Sequence, residues 1–366
     1  MVSFNKEGVG DTFPIQAPMV PGIQCGANVT PTSRVQDWNN INEFASEVGW
    51  NVIFGLNVLL RHGNDSWDSS NAMELMKYTV EKGYSVNWEL GNEPNSLNRT
   101  VGRTLDASVL AQDFVTLRNI LNSHEELRHN LLFGPDINAV GKKKTDKYID
   151  SFLQFSNNVT NATTWHQYYV DGKTAKVDDF INPNILNKLI GEIQRVNEIV
   201  DEHRPGSSVW LGETSSAYGG GAPKLSDTFV AGFMWLDKLG ISSLYGIDVV
   251  IRQTFFHGHY ALIDDDLNPL PDYWLSVLYK RLVGSKVLSI TLHDNSVNSK
   301  TMRVRVYAHC SVKRIVDLNG VAVRMINNHT LPDLSPRHIH RGENLILPPL
   351  SFAFYVIPNA MAMACL

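Results

Sequence analysis

The sequence has 366 residues, of which 43% are hydrophobic and 19% charged, so it has the length and composition of a globular protein with one large core or two ordinary domains. This composition argues against intrinsic disorder. The formal net charge of -5 argues against a protein that binds nucleic acid over its whole surface, so any site for a polyanion must be local.

The first 32 residues are predicted to be irregular. Prolines and glycines interrupt them at Pro14, Pro18, Pro21, Gly22, Gly26 and Pro31. No basic stretch followed by an apolar run is present there, so no signal peptide is visible. We therefore expect the regular fold to begin near residue 33.

From residue 33 to residue 284, short apolar runs alternate with helical patterns, which predicts an α/β fold of parallel strands joined by crossover helices. In the first helix, Val35, Trp38 and Ile41 recur at three-residue spacing between a Ser33 cap and Gly49. Six barrel strands are predicted, over residues 51–56, 85–90, 131–133, 163–167, 208–211 and 249–255. The other helices are predicted over residues 72–81, 108–121, 145–155, 186–201, 226–239 and 273–282, the fifth of these ended by Gly240.

After residue 284 the pattern changes to strands without helices, which predicts a small β domain over residues 285–366. Its strands are expected over residues 287–291, 302–308, 312–318, 321–325 and 345–357. The apolar tail over residues 345–366 contains Pro348, Pro349 and Pro358, which would leave unsatisfied backbone groups in a lipid-buried helix. The tail is therefore interpreted as a core strand and not as a membrane span.

Cysteine usage and glycosylation motifs favour a protein of the secretory pathway. The sequence has three cysteines without the paired spacing of a zinc site, so neither a metal nor a cofactor is expected. Cys310 and Cys365 form either a disulfide or two buried free thiols, and Cys25 stays unassigned. Asn-x-Ser/Thr sequons stand at Asn28, Asn64, Asn98, Asn158, Asn161 and Asn328.

Two glutamates follow predicted strands at equivalent positions. Glu93 lies just past the strand over residues 85–90, and Glu213 lies at the end of the strand over residues 208–211. The carboxyl ends of barrel strands form the catalytic face, so two such glutamates can converge on one cleft. Retaining glycoside hydrolysis needs such a pair roughly 5 Å apart, an acid/base with a raised pKa and a nucleophile with a lowered pKa. A single strand-end glutamate is more often an ordinary loop acid.

Longer phrases of the sequence resemble the heparanase family of retaining barrel glycosidases. These phrases span residues 88–96, 164–171, 210–223 and 225–240, within a resemblance that runs from about residue 50 to residue 366. The resemblance implies a (β/α)8-type TIM barrel, a C-terminal β-sandwich-like domain, Glu93 as the acid/base and Glu213 as the nucleophile. Because six barrel strands are predicted, the barrel is expected to be incomplete, and strands of the family's β domain are expected to be missing after Cys310.

The resemblance also implies a set of substrate contacts: Asn92, His166, Tyr168, Tyr218, Gly219, Gly220, Gln253 and Tyr260. Tyr218, Gly219 and Gly220 match a loop whose backbone receives a uronic acid carboxylate. Two alternatives stay open: residues 219–221 form a flexible turn, or Tyr168 or Tyr260 is a core aromatic residue. Gln167 replaces a histidine of the family pattern, and the loop over residues 256–260 is one residue shorter than in the family.

Lysines cluster at one place in the sequence, at Lys142, Lys143, Lys144 and Lys147. Such a run is usually a solvated surface. The resemblance to an enzyme that cuts heparan sulfate implies instead a heparin-binding segment, and Lys173 matches an arginine near the cleft of that family. Several lysines would bind sulfates through charge, with high sensitivity to salt.

The leading hypothesis from the resemblance is a retaining endo-β-glucuronidase that hydrolyses the heparan sulfate chains of proteoglycans, working best at acidic pH. The rival is a catalytically inactive heparan sulfate-binding protein, because residues 50–61 resemble a non-hydrolytic heparanase paralogue. That paralogue lacks the Gly-Glu-Thr phrase around Glu213, which favours the enzyme. The resemblance further implies a secreted protein of the extracellular matrix and lysosome, and an N-terminal companion chain that completes the barrel.

Overall fold

The computed structural model describes residues 2–3, 13–17, 31–291, 304–311, 343, 347–357 and 362–365. Its strands are β1 (Val2–Ser3), β2 (Phe13–Ala17), β3 (Trp50–Leu56), β4 (Val86–Leu90), β5 (Phe133–Ile137), β6 (Ala162–Gln167), β7 (Val170–Asp171), β8 (Ser208–Thr214), β9 (Ala217–Tyr218), β10 (Val249–Arg252), β11 (Val283–Leu288) and β12 (Ala308–Ser311). Its helices are α1 (Pro31–Glu47), α2 (Ser70–Glu81), α3 (Leu97–Val101), α4 (Ala107–Ser123), α5 (Lys143–Phe155), α6 (Val177–Phe180), α7 (Pro183–Leu186), α8 (Lys188–His203), α9 (Ala231–Leu244) and α10 (Pro271–Leu282). The predicted α/β fold is confirmed.

The main strands run parallel in the order β2-β3-β4 and β5-β6-β8-β10. A parallel bridge between Trp88 and Leu132 joins the two groups, and β10 comes close to β2. The strands therefore succeed one another around a barrel, with the crossover helices between them. Every residue of β5 and β6 is buried, as expected for parallel strands covered on both faces.

The helices cover the barrel with one apolar face each. In α8 the buried residues are Leu189, Ile193, Val196, Ile199 and Val200, which recur at three- and four-residue spacing. Trp88 and Trp165 fill the core between the strands and helices, and neither is exposed. This packing holds the carboxyl ends of β4, β6 and β8 at one end of the barrel.

The prediction of an irregular N-terminal segment is wrong at two places. Phe13–Ala17 pairs in parallel with β3, and Val2–Ser3 pairs antiparallel with β10. An open sheet edge presents unpaired N–H and C=O groups, and an extended segment satisfies them even where its composition gives little strand signal. The chain thus adds a parallel strand to the six that were predicted.

Most helix boundaries differ from prediction by one to three residues, and the first helix and α9 show the physical reason. The first helix begins at Pro31, before the expected Ser33 cap, which suits a residue without an N–H to satisfy. The helix expected over residues 226–239 is α9, which begins at Ala231 and continues through Gly240 to Leu244. Gly240 lies inside the helix and does not end it. Its missing side chain makes room for the ring of Tyr307, which a Cβ at this position would overlap.

The described part of the C-terminal region contains one antiparallel pair, β11 with β12. A disulfide joins Cys310 to Cys365, with Cα atoms 5.5 Å apart. The strand predicted over residues 345–357 is wrong for residues 347–357, which form a turn and irregular backbone, and the strand over residues 302–308 is seen only at Ala308. The strands expected over residues 312–318 and 321–325 lie outside the described residues, so the sandwich-like domain and the boundaries at residues 32 and 284 stay predictions. Within the described ranges no helix combines the length and apolar character that crossing a bilayer requires.

Candidate active site

The two predicted catalytic glutamates meet at the carboxyl ends of the barrel strands. Glu93 follows β4 and begins a short 3-10 turn, Pro94–Ser96, whereas Glu213 belongs to the last residues of β8. One oxygen of each carboxylate and a ring nitrogen of His166 all lie within 4.8 Å of one another. This spacing is that of a retaining glycosidase, in which the two carboxyl groups are roughly 5 Å apart.

His166 stands between the two glutamates and is held from behind by a third acid. Its Nδ1 lies 3.2 Å from Glu93 Oε1 and 3.8 Å from Glu213 Oε1. Its Nε2 lies 2.8 Å from Oδ1 of Asp136, a buried residue at the end of β5. Glu93, His166 and Glu213 have the ligand types and proximity to hold a metal ion, but the same proximity is what carboxylate-based hydrolysis requires.

Asp136 was missed by the sequence analysis. The signal was present, since it is a carboxylate that follows an apolar strand, as Glu93 and Glu213 do, but the strand was predicted over residues 131–133 and ended too early. Its backbone has a left-handed φ of 56°. The tight fit around its side chain explains Gly212, because a Cβ there would lie 2.7 Å from Asp136 Oδ1.

The other side of the cleft is formed by tyrosines. Tyr168 donates a hydrogen bond of 2.6 Å to Glu213 Oε1, and its ring centroid lies 6.3 Å from that of Tyr260, which is buried. Both tyrosines therefore line the site beside Glu213. Asn92 is half-buried next to Glu93, and Gln253 follows β10 on the same end of the barrel.

The titration of the two carboxyls differs, but in the direction opposite to the sequence expectation. Burial raises the pKa of Glu213, and the positive charge of His166 and the Tyr168 hydrogen bond only partly offset it. Burial also raises the pKa of Glu93, but the hydrogen bond and charge of His166, with bonds from Ser96 and Asn138, outweigh burial and hold this pKa below its usual value. The two carboxyls differ because Glu93, with a side chain 24% exposed, has three hydrogen-bond partners, whereas the more enclosed Glu213, 17% exposed, has one.

His166 is protonated and lies between Glu93 and Glu213. Burial lowers its pKa, but the charges of Asp136 and Glu213 and the hydrogen bonds to Asp136 and Glu93 raise it well above the usual range of histidine. An imidazolium donates from both nitrogens, so Nδ1–H points to Glu93 Oε1. The proton that an acid at Glu93 needs is thus one hydrogen bond away, and the three groups titrate as a coupled set.

The predicted uronate loop lies beside these residues. Strand β7 pairs in parallel with β9, which brings the loop after β6 against the loop of Tyr218, Gly219 and Gly220. Gly219 and Gly220 have φ of 81° and 92°, a conformation that favours glycine. The Gly220 carbonyl accepts from the N–H of His259 at 2.7 Å, and Tyr218 is half exposed. Lys173 lies in the loop after β7. The loop of Lys173 and the loop of Tyr218, Gly219 and Gly220 therefore lie on the same rim.

The lysine cluster lies at the N-terminal end of α5, which follows β5. Lys142, Lys143, Lys144 and Lys147 are all exposed. Nearby Asp146 is paired with Arg195 at 3.0 Å, so the acid within the cluster is neutralised. The cluster is on the side of the barrel where β5 ends, as Asp136 is, and not in contact with the glutamates.

Four of the predicted glycosylation sites are exposed: Asn64, Asn98, Asn158 and Asn161. Asn28 and Asn328 lie outside the described residues. The Asn161 side-chain oxygen accepts from Arg118 and from the N–H of Leu132, so that side chain already has a structural role. Glycan attachment at these sites stays a prediction.

Comparison with known proteins gives the family. The model of the glycosyl hydrolase family 79 N-terminal domain matches residues 29–240. The heparanase of Gallus gallus is 41% identical, in an alignment that covers 89% of this chain and 71% of that protein. The chain belongs to the heparanase family of glycoside hydrolases.

One further relative and one more distant structure show how far the family assignment reaches. Inactive heparanase-2 of Homo sapiens is 35% identical, covering 93% of this chain and 66% of that protein, so membership of the family does not by itself establish catalysis. The GH51 arabinofuranosidase of Xanthomonas axonopodis pv. citri superposes with a TM-score of 0.52 at 14% identity, over 66% of this chain and 54% of that chain. This likeness shows the fold alone. The geometry around Glu93 and Glu213 must therefore carry the functional argument.

Proposed function

We propose that this heparanase family member is a retaining endo-β-glucuronidase that hydrolyses heparan sulfate chains. The observation that carries the proposal is that one carboxylate oxygen of Glu93 and one of Glu213 lie within 4.8 Å of each other, with His166 between the two residues. The names of the curated relatives support the substrate class.

The reaction follows from the positions of the donors. Glu93 receives the proton held at His166 Nδ1 and protonates the glycosidic oxygen, while ionised Glu213 attacks the anomeric carbon. The Tyr168 hydroxyl, 2.6 Å from Glu213 Oε1, fixes the attacking carboxylate. Glu93, then a carboxylate, takes a proton from the water that cleaves the glycosyl-enzyme, so the configuration at the anomeric carbon is retained.

We assign recognition of the chain to the rim. The N–H groups of the Tyr218–Gly220 loop face a uronate carboxylate, Asn92 bonds a sugar hydroxyl, and Gln253 and Tyr260 contact the ring. Lys173 and the cluster of Lys142, Lys143 and Lys144 bind sulfates, because all are exposed cations on loops or a helix end at the carboxyl side of the strands.

The proposal also includes an extracellular or lysosomal location, a C-terminal sandwich-like domain and an N-terminal companion chain. Support for a companion comes from the barrel wall, where the two-residue β1 pairs with Val249 and Val250 and leaves the rest of that edge of β10 without a pair in β1. An edge of this kind offers backbone groups to a further strand.

The decisive experiment is hydrolysis of a defined heparan sulfate oligosaccharide at about pH 5, followed by NMR of the newly formed anomer. We expect turnover with retention, abolished by both Glu93→Gln and Glu213→Gln and unchanged by Glu198→Gln on the surface. Inversion, or turnover that persists in Glu213→Gln, would contradict the assignment.

The second candidate is a heparan sulfate-binding protein without activity, which the 35% identity to inactive heparanase-2 favours. It predicts no turnover by a folded wild-type chain that still binds heparin. Glu213→Gln would then leave the heparin affinity unchanged, whereas replacing Lys142, Lys143 and Lys144 with glutamine would lower it, most strongly at low salt.

A further inference from the structure

Lys238 is a buried cation that the mechanism above does not use. It lies in α9 with its side chain fully buried, where a free ammonium would be costly. Its Nζ reaches out of the helix layer toward the carboxyl ends of β6 and β8. The partners it finds there all come from residues next to the active site.

Three oxygens surround the Lys238 nitrogen at close range. Nζ donates to Gln167 Oε1 at 2.7 Å, to Thr214 Oγ1 at 2.5 Å and to the Ser215 carbonyl at 2.7 Å, and the Gln167 carbonyl lies farther away at 3.4 Å. Thr214 in turn donates its own hydroxyl hydrogen to the Gln167 carbonyl, so its oxygen can only accept from Lys238. Three acceptors require three N–H groups, which an ammonium has and a neutral amine does not.

The remaining side of the ammonium faces an aromatic ring. Nζ lies 4.4 Å from the centroid of Tyr169, a cation-π contact. Burial, and next the charge of Arg252, hold the pKa of Lys238 well below its usual value, and the charges of Glu192 and Asp237 offset this only in part. The oxygen cage and the ring therefore stabilise a charge that burial alone would remove.

The cage coincides with an irregularity in the sheet. Strands β6 and β8 pair with one register up to Trp165 and Leu211, and with a shifted register from His166 and Glu213 onward. Such a bulge re-aims side chains next to an active site. His166 and Glu213 are the first pair after it, Gln167 and Thr214 are the second, and Lys238 bonds to both residues of the second pair.

We propose that Lys238 is a positioning residue for the reaction, whose buried ammonium holds the shifted ends of β6 and β8 so that His166 and Glu213 point into the cleft. This inference rests on the proposed function. Three of the four residues that Lys238 contacts directly follow a member of the site in the chain: Gln167 follows His166, Thr214 follows Glu213, and Tyr169 follows Tyr168. The fourth, Ser215, follows Thr214.

The test replaces Lys238 with methionine, which keeps the length of the side chain and removes its donors. The matched control is Arg204→Met, because Arg204 is also a buried cation, bonded to Thr160 and Ser156, but at the opposite ends of the strands. Both variants are expected to melt at a lower temperature. Only Lys238→Met is expected to lower kcat, by about 10- to 100-fold with little change in KM, as misplacement of reacting groups by about 1 Å does.

Two further readouts separate positioning from mere stability. In Lys238→Met the acidic limb of the pH profile of kcat/KM should move, because the surroundings of Glu213 change, whereas Arg204→Met should keep the wild-type profile. If Lys238→Met does not fold, Gln167→Met removes one acceptor while leaving the lysine, and should show a smaller loss of kcat with the same KM. If folded Lys238→Met or folded Gln167→Met had the wild-type kcat and pH profile, the inference about Lys238 would be overturned and the proposed function would stand. An inactive wild-type chain would overturn the proposed function, and the inference with it.

Discussion

The backbone N–H of Glu93 donates a hydrogen bond of 2.9 Å to the carbonyl oxygen of Asp136. Both residues have left-handed backbones, with φ of 44° and 56°, a conformation that is costly for residues other than glycine and that persists where the surroundings enforce it. The same two residues hold His166 from opposite sides. The ends of β4 and β5 are thus joined both by their backbones and through one imidazolium.

Replacing Asp136 with asparagine should remove the charge that keeps His166 protonated. The pKa of His166 should fall, so the proton available to Glu93 is lost at lower pH and the basic limb of the kcat/KM profile moves down. A drop of about 10² or more in kcat is expected, the range of general acid catalysis. Asp150→Asn is the control, because Asp150 also lies 2.8 Å from a histidine, His203, but away from the cleft. Equal losses in both variants would contradict the assignment of Asp136.

Tyr168→Phe should change the pKa of the nucleophile, Glu213, while keeping the aromatic ring at position 168. The Tyr168 hydrogen bond lowers the pKa of Glu213, which burial raises, so its loss should raise that pKa further. Because the nucleophile must be ionised, the acidic limb of kcat/KM should shift to higher pH. A loss of roughly 10²-fold in kcat is expected, as for removal of one donor to a developing charge, because negative charge develops on Glu213 when the glycosyl-enzyme is hydrolysed. An unchanged acidic limb would mean that Tyr168 does not act on Glu213.

Two glycines in helices should respond oppositely to alanine. In Gly240→Ala the new Cβ would overlap the Tyr307 ring, and overpacking of this kind costs about 1–3 kcal/mol in the free energy of unfolding. Gly191 in α8 is exposed and has nothing within 4 Å of its Cβ position, so Gly191→Ala should stabilise by about 0.5–1 kcal/mol. Thermal melting of the two variants checks the packing of residues 304–311 on α9, and equal shifts would argue against it.

Loss of the disulfide should destabilise the C-terminal region. Cys310 and Cys365 are 55 residues apart, and closing a loop of that length restricts the unfolded chain by about 4 kcal/mol in the loop-entropy model. Cys310→Ser should therefore lower the denaturant midpoint, as should reduction of the wild type. If the reduced and oxidised proteins unfold at the same denaturant concentration, the linkage does not form in solution.

The alternation of apolar runs and helical patterns was enough to predict the six strands and the helices between them, because period and turn residues are local properties. It was also enough to place Glu93 and Glu213 at strand ends. The N-terminal strand at Phe13–Ala17 had no local signal, since it is defined by the open edge of β3. The continuation of α9 through Gly240 likewise depends on Tyr307, a residue far away in the sequence.

The sequence by itself therefore determined the fold class, the position of the two glutamates at strand ends and the family to which the chain belongs. The tertiary structure decided which groups share their protons. It brought Asp136 behind His166 and set Lys238 beneath both strand ends. It also buried Glu213 and surrounded Glu93 with hydrogen-bond donors, so that their pKa values shift opposite to expectation. The reason is physical. Desolvation and charge interactions depend on distances between residues that are far apart in the chain, and no spacing along the sequence encodes those distances.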